Sequence, residues 1–341
     1  NHFFENNNSL GFSKLEGQMT VQGKYSNRQV TWIDLDGDHD LDLFIGNIKQ
    51  AEVFRQDAGQ SFTAITEHPF ENYFWENQTS WTDINHDGLP DAFTVAGGPR
   101  LHIAGEEFTY TSQALDLGYQ EKFEHAHDWG DFDNDGDQDL LLAIDKQVKL
   151  FAQQPDGTFN EVTLPDHDSN GIITRVLFSD HNLDGWLEIL AIRSHISESC
   201  NPFYFERQPD SNHYLILKPE STDPNSTADN AKIAVYFNQN VRYFSRQDRT
   251  GRQGDNSPLY HLGLGNHTRA DSIIVWWASG KQQIVTNVSA DQLITIMEPL
   301  PEKPAPPQNL TGTNLTHREL LLHWEDMSSK EAAFILQRKA D

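Results

Sequence analysis

Four short stretches place oxygen-bearing side chains at alternate positions. WIDLDGDHDLDLF carries Asp34, Asp36, Asp38, Asp40 and Asp42. WTDINHDGLPDAF carries Asp83, Asn85, Asp87 and Asp91, with Leu89 between the last two. WGDFDNDGDQDLL carries Asp131, Asp133, Asp135, Asp137 and Asp139, and FSDHNLDGWLEIL carries Asp180, Asn182, Asp184 and Glu188, with Trp186 before the last. Carboxylates this close repel one another unless a cation sits among them. A hard cation such as calcium takes about six to eight oxygens at about 2.3–2.6 Å, and alternate side chains of a tightly turned loop can converge on one point. Counting each loop from its first Asp, positions 1, 3, 5 and 9 supply the side-chain oxygens. Position 7 (Asp40, Leu89, Asp137, Trp186) is expected to give its backbone carbonyl, because Leu89 has no side-chain oxygen to offer. Gly88, Gly136 and Gly185 stand at position 6, where a positive φ would fold the loop around the ion. His39 replaces the glycine in the first loop, and His is among the residues that tolerate that conformation. About four calcium ions are expected, one per loop, in a structural role.

An EF-hand needs Glu at loop position 12 and flanking helices; position 12 here is Ile45, Thr94, Leu142 or Ala191, all in apolar runs. Magnesium resists dehydration and rarely uses all-protein cages. A solvated acidic turn explains one copy better than four in register.

The elements that position these loops follow from a repeat. The first Asp recurs at intervals of 49, 48 and 49 residues, which marks a repeat architecture. An aromatic stands two residues before it each time (Trp32, Trp81, Trp129, Phe178), read as packing between repeats rather than as a sugar-stacking platform. An apolar run follows position 9, as in Leu140-Leu141-Leu142, and reads as a strand buried on both faces. Later strand-like pieces bring the total to about four per repeat, which is one blade of a β-propeller. The fold class is all-β: a partial β-propeller of about four blades, then a small β-sandwich-like domain, then a truncated segment.

Composition narrows the partners. The 341 residues hold 51 Asp+Glu against 25 Lys+Arg, net −26, which argues against nucleic acid and anionic membranes. The single Cys200 allows no intrachain disulfide and is read as inert. No apolar run is long enough to cross a bilayer. No G-x-S-x-G, Walker or HExxH pattern occurs. His125 and His127 could pair on a transition metal but are read as polar residues on an exposed strand face; His86 and His181 are read as solvated. Arg242, Arg246, Arg249 and Arg252 form a basic stretch for an acidic partner or for the chain's own acidic surface.

The four-fold D-x-[DN]-x-D-[GH]-x-x-[DE] pattern over about 1–212 resembles the FG-GAP/VCBS calcium-loop propeller repeats of integrin α-chain heads and bacterial surface proteins. Such propellers typically have seven blades. Asn1–Phe12 resembles the tail of an earlier blade, so the chain is expected to begin inside the propeller. Residues 213–298, with HLGLG and V-x-W-x-x-G-K, resemble the ASPIC/UnbV domain that follows such propellers in cartilage acidic protein and bacterial relatives. Trp277 and Asn230 stand where that family has proline and glycine. Residues 299–307 read as a Pro-rich linker. Residues 308–341, with Leu310, Leu320, Leu322, Trp324 and Phe334-Ile335-Leu336, resemble the first strands of a fibronectin type III module.

These features favour a non-catalytic, calcium-stabilised extracellular or cell-surface module for adhesion, recognition or assembly, with a protein or glycan ligand and room for self-assembly into a filament. A polysaccharide lyase-like propeller enzyme, or its glycan-binding appendage, is the alternative. It would need a basic or tyrosine cluster that the sequence alone does not locate.

Overall fold

The computed structural model describes residues 3–6, 11–15, 27–47, 51–57, 61–70, 79–95, 98–118, 124–144, 146–166, 171–194, 202–221, 228, 231–244, 259–300, 308–316 and 319–325. The chain forms two compact units, Asn1–Glu298 and Pro299–Asp341.

In the first unit, β1 (Phe3–Asn6) and β2 (Phe12–Leu15) form an antiparallel hairpin. Four sequential antiparallel sheets follow. The first is β3 (Asn27–Ile33), β4 (Asp42–Asn47), β5 (Glu52–Asp57) and β6 (Ser61–Ile65). The second is β7 (Ser80–Thr82), β8 (Asp91–Thr94), β9 (Arg100–Ala104) and β10 (Tyr110–Ala114). The third is β11 (Glu124–Gly130), β12 (Asp139–Ile144), β13 (Gln147–Gln153) and β14 (Phe159–Val162). The fourth has three described strands, β15 (Ile172–Ser179), β16 (Glu188–Ser194) and β17 (Phe203–Phe205). Each acidic loop closes the hairpin between the first two strands of its sheet, and Gly130 pairs with Asp139 at its mouth.

The second strand of the first three sheets is buried on both faces, as its unbroken apolar run predicts, whereas the end of β16 is exposed; Leu140, Leu141, Leu142 and Ala143 are all inaccessible to solvent. Its side chains supply two adjoining cores. Leu140 and Leu142 pack with Phe93, Leu101 and Trp129, while Leu141 and Ala143 pack with Ile173, Val176 and Ile189 of the next sheet. The repeated aromatic lies in this seam. Trp81 packs edge-on to Phe44 (5.3 Å between centroids) of the preceding sheet, and Trp129 likewise to Phe93 (5.4 Å). Trp129 Nε1 also donates to Ser80 Oγ at 3.0 Å, one repeat back. Trp32 departs from the pattern: it is 39 % exposed and touches Phe62 of its own sheet.

Two sheets then share one core. One is β21 (Tyr260–Gly265), β18 (His213–Glu220) and β24 (Gln292–Met297), with β18 and β24 parallel. The other is β20 (Asn240–Phe244), β19 (Lys232–Phe237), β22 (Arg269–Trp276) and β23 (Gln282–Ser289). Leu215, Leu217, Ile233, Val235, Leu262, Ile273, Val275 and Trp277 fill the space between them. Trp277, at the position where a proline was expected, is thus a core residue; Asn230 lies outside the described residues.

In the second unit, β25 (Gln308–Thr316) and β26 (Glu319–Glu325) form a hairpin whose Leu310 and Trp324 are exposed. Residues 334–336 lie outside the described residues. No helix among the described residues is long and apolar enough to cross a membrane.

Trp81 has no solvent exposure and bridges two sheets. Trp81→Ala is expected to cost about 3–5 kcal/mol, the usual range for a truncated buried aromatic. A denaturant midpoint unchanged from wild type would contradict that packing.

Candidate metal centres

The four loops share one hydrogen-bond scheme. The position-1 carboxylate caps the position-6 amide: His39 N to Asp34 Oδ2 (3.3 Å), Gly88 N to Asp83 Oδ2 (2.9 Å), Gly136 N to Asp131 Oδ2 (3.0 Å) and Gly185 N to Asp180 Oδ2 (2.9 Å). Position 3 accepts from the position-5 amide through Asp36, Asn85, Asp133 and Asn182. Position 5 accepts from the position-7 amide through Asp38, Asp87, Asp135 and Asp184. Asp34, Asp83 and Asp180 also accept a second loop amide on Oδ1, so these side chains wind the loop.

Position 9 does more. Asp42 takes Leu35 N (2.9 Å) on one oxygen and Gln56 N (2.9 Å) on the other; Asp91 takes Ile84 N (2.9 Å) and Ala104 N (2.7 Å); Asp139 takes Phe132 N (2.8 Å) and Gln153 N (2.9 Å). These three buried carboxylates staple the loop to the third strand of the sheet. Glu188 differs. Its Oε2 takes both the amide and the ring Nδ1 of His181, at 3.1 and 3.0 Å.

Positive φ occurs at position 6 in His39, Gly88, Gly136 and Gly185. It also occurs at position 4, in Gly37, His86, Asn134 and Leu183, which sequence reasoning missed. Gly, His and Asn at that position were an available signal, since these types tolerate the conformation, but Leu183 gave none.

Two loops bring three carboxylates together. In Asp34, Asp36 and Asp42, and again in Asp131, Asp133 and Asp139, one oxygen of each lies within 4.8 Å of the others. Loops two and four place Asn85 and Asn182 at position 3, and each amide donates to the position-5 carboxylate, Asp87 or Asp184. In the third loop Asp131 Oδ1 is buried without a hydrogen-bond partner, whereas Oδ2 accepts two amides. An orphaned carboxylate oxygen beside two further carboxylates is what a bound cation would satisfy. The donors are all hard oxygens, the set that suits calcium.

The position-7 residues are placed differently from one another. Asp137 turns its side chain away from the cluster: Oδ1 accepts from His86 Nε2 and from Arg242 Nη2, each at 3.1 Å. The His86 bond, with help from Arg242, holds its carboxyl below the usual range despite burial. Asp40 and Leu89 line the mouth of a cleft, and Trp186 is buried under the Arg207 guanidinium.

Several expectations for the histidines and arginines change. His86 is largely buried and bound to Asp137. His181 is exposed but engaged by Glu188 and by the Tyr204 hydroxyl at 3.0 Å. His127 is buried edge-on to Phe93, not on an exposed face, because its strand lies between two packed sheets. Arg242 contacts the chain's own acidic third loop; Arg246, Arg249, Arg252 and Cys200 lie outside the described residues.

Burial dominates the electrostatics. It pushes Asp42 and Asp91 up to about 7 and Asp135 to about 6, and raises Asp131 and Asp139 well above the usual carboxylate range. Asp34, Asp36 and Asp180 are raised for the same reason.

Comparison with known proteins gives the repeats a family. Residues 34–94 and 131–191 match the FG-GAP-like repeat, and residues 221–303 match the ASPIC and UnbV domain. Both FG-GAP matches begin on the first Asp of a loop and span two loops. Such repeats commonly bind calcium and are typical of extracellular or cell-surface proteins. A solved structure of an Agrocybe aegerita lectin, described for specific recognition of non-reducing terminal N-acetylglucosamine, is similar at 17 % identity with a TM-score of 0.37. The likeness covers 48 % of this chain and 45 % of the lectin's, so the chain spans less than half of its length. No curated protein matches.

The raised carboxylates give a sign to the pH dependence. The folded chain without an ion holds these protons more tightly than the unfolded chain, whose Asp value is 3.8. Stability is then greatest at low pH and is lost as pH rises through about 7. In excess EDTA, Tm is expected to fall between about pH 5 and about pH 8, and excess calcium should abolish that fall. A Tm that climbs with pH in EDTA would contradict the burial of Asp42 and Asp91.

Proposed function

We propose that the chain is a non-catalytic recognition module of an extracellular or cell-surface protein, stapled by calcium in its acidic loops. The carrying observation is the third loop, where Asp131, whose Oδ1 is buried and unpartnered, clusters with Asp133 and Asp139. Every ligand candidate at positions 1, 3, 5 and 9 accepts at least one amide of the loop's own backbone. That arrangement fixes the chain around an ion rather than presenting the ion to a substrate.

Four full side-chain carboxylates stand in loops one and three, and three beside an Asn in loops two and four. Ligand charge tunes calcium affinity, so loops one and three are assigned the tighter sites. Loop four, whose Glu188 is engaged by His181, is assigned the weakest.

Recognition has a place to occur. A cleft of about 680 Å³ opens between the first two loops and the ASPIC/UnbV domain. Tyr243, Trp276, Lys232, Lys281, Asp40 and Gln56 are among its walls. Aromatic faces with polar groups at their rim suit a glycan or a protein loop. The cleft also gathers the tyrosine and lysines that a polysaccharide lyase would require. Burial raises the Tyr243 phenol, however, the wrong direction for a general base. Lys232 and Lys281 face Asp34 and Glu298, at 3.8 and 3.9 Å. Binding without turnover is the better reading of that chemistry.

Two measurements test this. Excess EDTA at neutral pH should lower Tm by many degrees, and a superimposable melting curve would sink the calcium assignment. A glycan array in calcium, paired with absorbance of unsaturated uronate, should show binding that Trp276→Ala abolishes and no product. Product formation would establish the lyase instead.

A further inference from the structure

The ASPIC/UnbV domain reaches all four loops with hydrogen-bond donors or rings. On the third loop, Gly263 N donates to Asp131 Oδ2 at 2.7 Å and Gly265 N to the Asn134 carbonyl at 2.8 Å. Gly263 has no room for a side chain: a Cβ would lie 2.3 Å from the Asn134 backbone and 2.4 Å from Asp131 Oδ2. Arg242 Nε donates to the Gly136 carbonyl, and its Nη2 to Asp137. Asn212, just before β18, donates to the Asp133 carbonyl at 2.9 Å. On the fourth loop, His261 Nε2 donates to the Gly185 carbonyl at 3.0 Å, and the Tyr214 ring covers Gly185. On the second, Tyr243 covers Gly88; on the first, Trp276 stacks on His39 and Lys232 faces Asp34.

We infer that this domain is a calcium-dependent cap on the loop face, with Gly263 and Arg242 acting as positioning residues for the third loop's ion. The inference rests on the calcium assignment above. Asp131 connects the two events. Its Oδ2 is held by one amide of the loop and one of the cap, its Oδ1 is buried without a partner, and its carboxylate clusters with those of Asp133 and Asp139. Without an ion, Asp131, Asp133 and Asp139 repel one another at close quarters, and the loop that carries the Asp133, Asn134 and Gly136 carbonyls loses its shape. The cap's donors then lose their acceptors, and a buried donor without a partner opposes docking. Coupling of this kind is reciprocal, so docking tightens calcium binding by the same factor that calcium favours docking.

The segment before the cap supplies a readout. Arg207 lies over Phe132 of the third loop (4.6 Å) and Trp186 of the fourth (5.1 Å), and pairs with Asp210. Trypsin cleavage after Arg207 should therefore be slow in calcium and fast in EDTA. The experiment uses the full chain and follows calcium binding by chelator competition, cap docking by trypsin digestion and small-angle scattering. Arg242→Ala and Gly263→Ala are expected to weaken one class of calcium site by roughly 5–150-fold, the usual range of coupling between sites, and to speed cleavage at subsaturating calcium. Should Gly263→Ala fail to fold, Arg242→Ala decides alone. Calcium bound at wild-type affinity in Arg242→Ala, or an Arg207 bond equally protected in EDTA, would overturn the cap while leaving the calcium assignment standing. No calcium bound by the wild type would overturn both.

Discussion

The structure depends on carboxylates buried beside carboxylates. At position 9 the chain lays Asp42, Asp91 and Asp139 under the mouth of the first three loops, inaccessible to water. Two backbone amides meet each of them, one from the loop and one from the third strand. Those amides satisfy lone pairs but carry no net charge, so the repulsion between neighbouring carboxylates persists. A divalent cation would remove it, as would protonation of the buried groups. Under the calcium assignment proposed above, the same side chains would set both hairpin geometry and ion affinity.

That condition propagates because the loops are not isolated. Each follows a strand whose aromatic, in Trp81 and Trp129, is wedged against the preceding sheet. Contacts one repeat apart tie loop to loop as well. His86 of the second reaches Asp137 of the third, and Asn134 of the third donates to the Gly185 carbonyl of the fourth. The nearest-neighbour energetics of repeat proteins apply here with an added term, since ordering one loop presents partners to the next. Trp32 shows the edge of that logic: it is the same residue type at the same repeat position, and it is exposed where no described sheet covers it.

Periodicity made the sheets and the acidic loops between their first two strands legible in the sequence. A two-residue alternation of Asp repeated every 49 residues admits few other readings. What escaped was carried by the backbone. The amides of Gln56, Ala104 and Gln153 that hold position 9 come from the next strand of the sheet, and every residue type but proline has such an N–H. The positive φ at Leu183 was illegible for a related reason, because its residue type argues against it. His127 was misplaced as exposed because a strand packed on both faces has no polar side to give it. His86 was misplaced as solvated because its partner, Asp137, is 51 residues away.

Gly263 shows how a motif can be seen and still not be understood. HLGLG marks the domain in the sequence, but nothing local requires a glycine at 263, since no positive φ occurs there. The requirement is a tertiary one. The backbone must come close enough for its N–H to reach Asp131 from outside the loop, and any Cβ would strike Asn134 first. Arg242 follows the same logic with charge in place of size. A cation beside a calcium loop should weaken the site, yet its guanidinium is turned to the Gly136 carbonyl and to Asp137, whose carboxylate faces away from the cluster. The guanidinium makes its hydrogen bonds to Gly136 and Asp137, although its charge is also felt by Asp131 and Asp135.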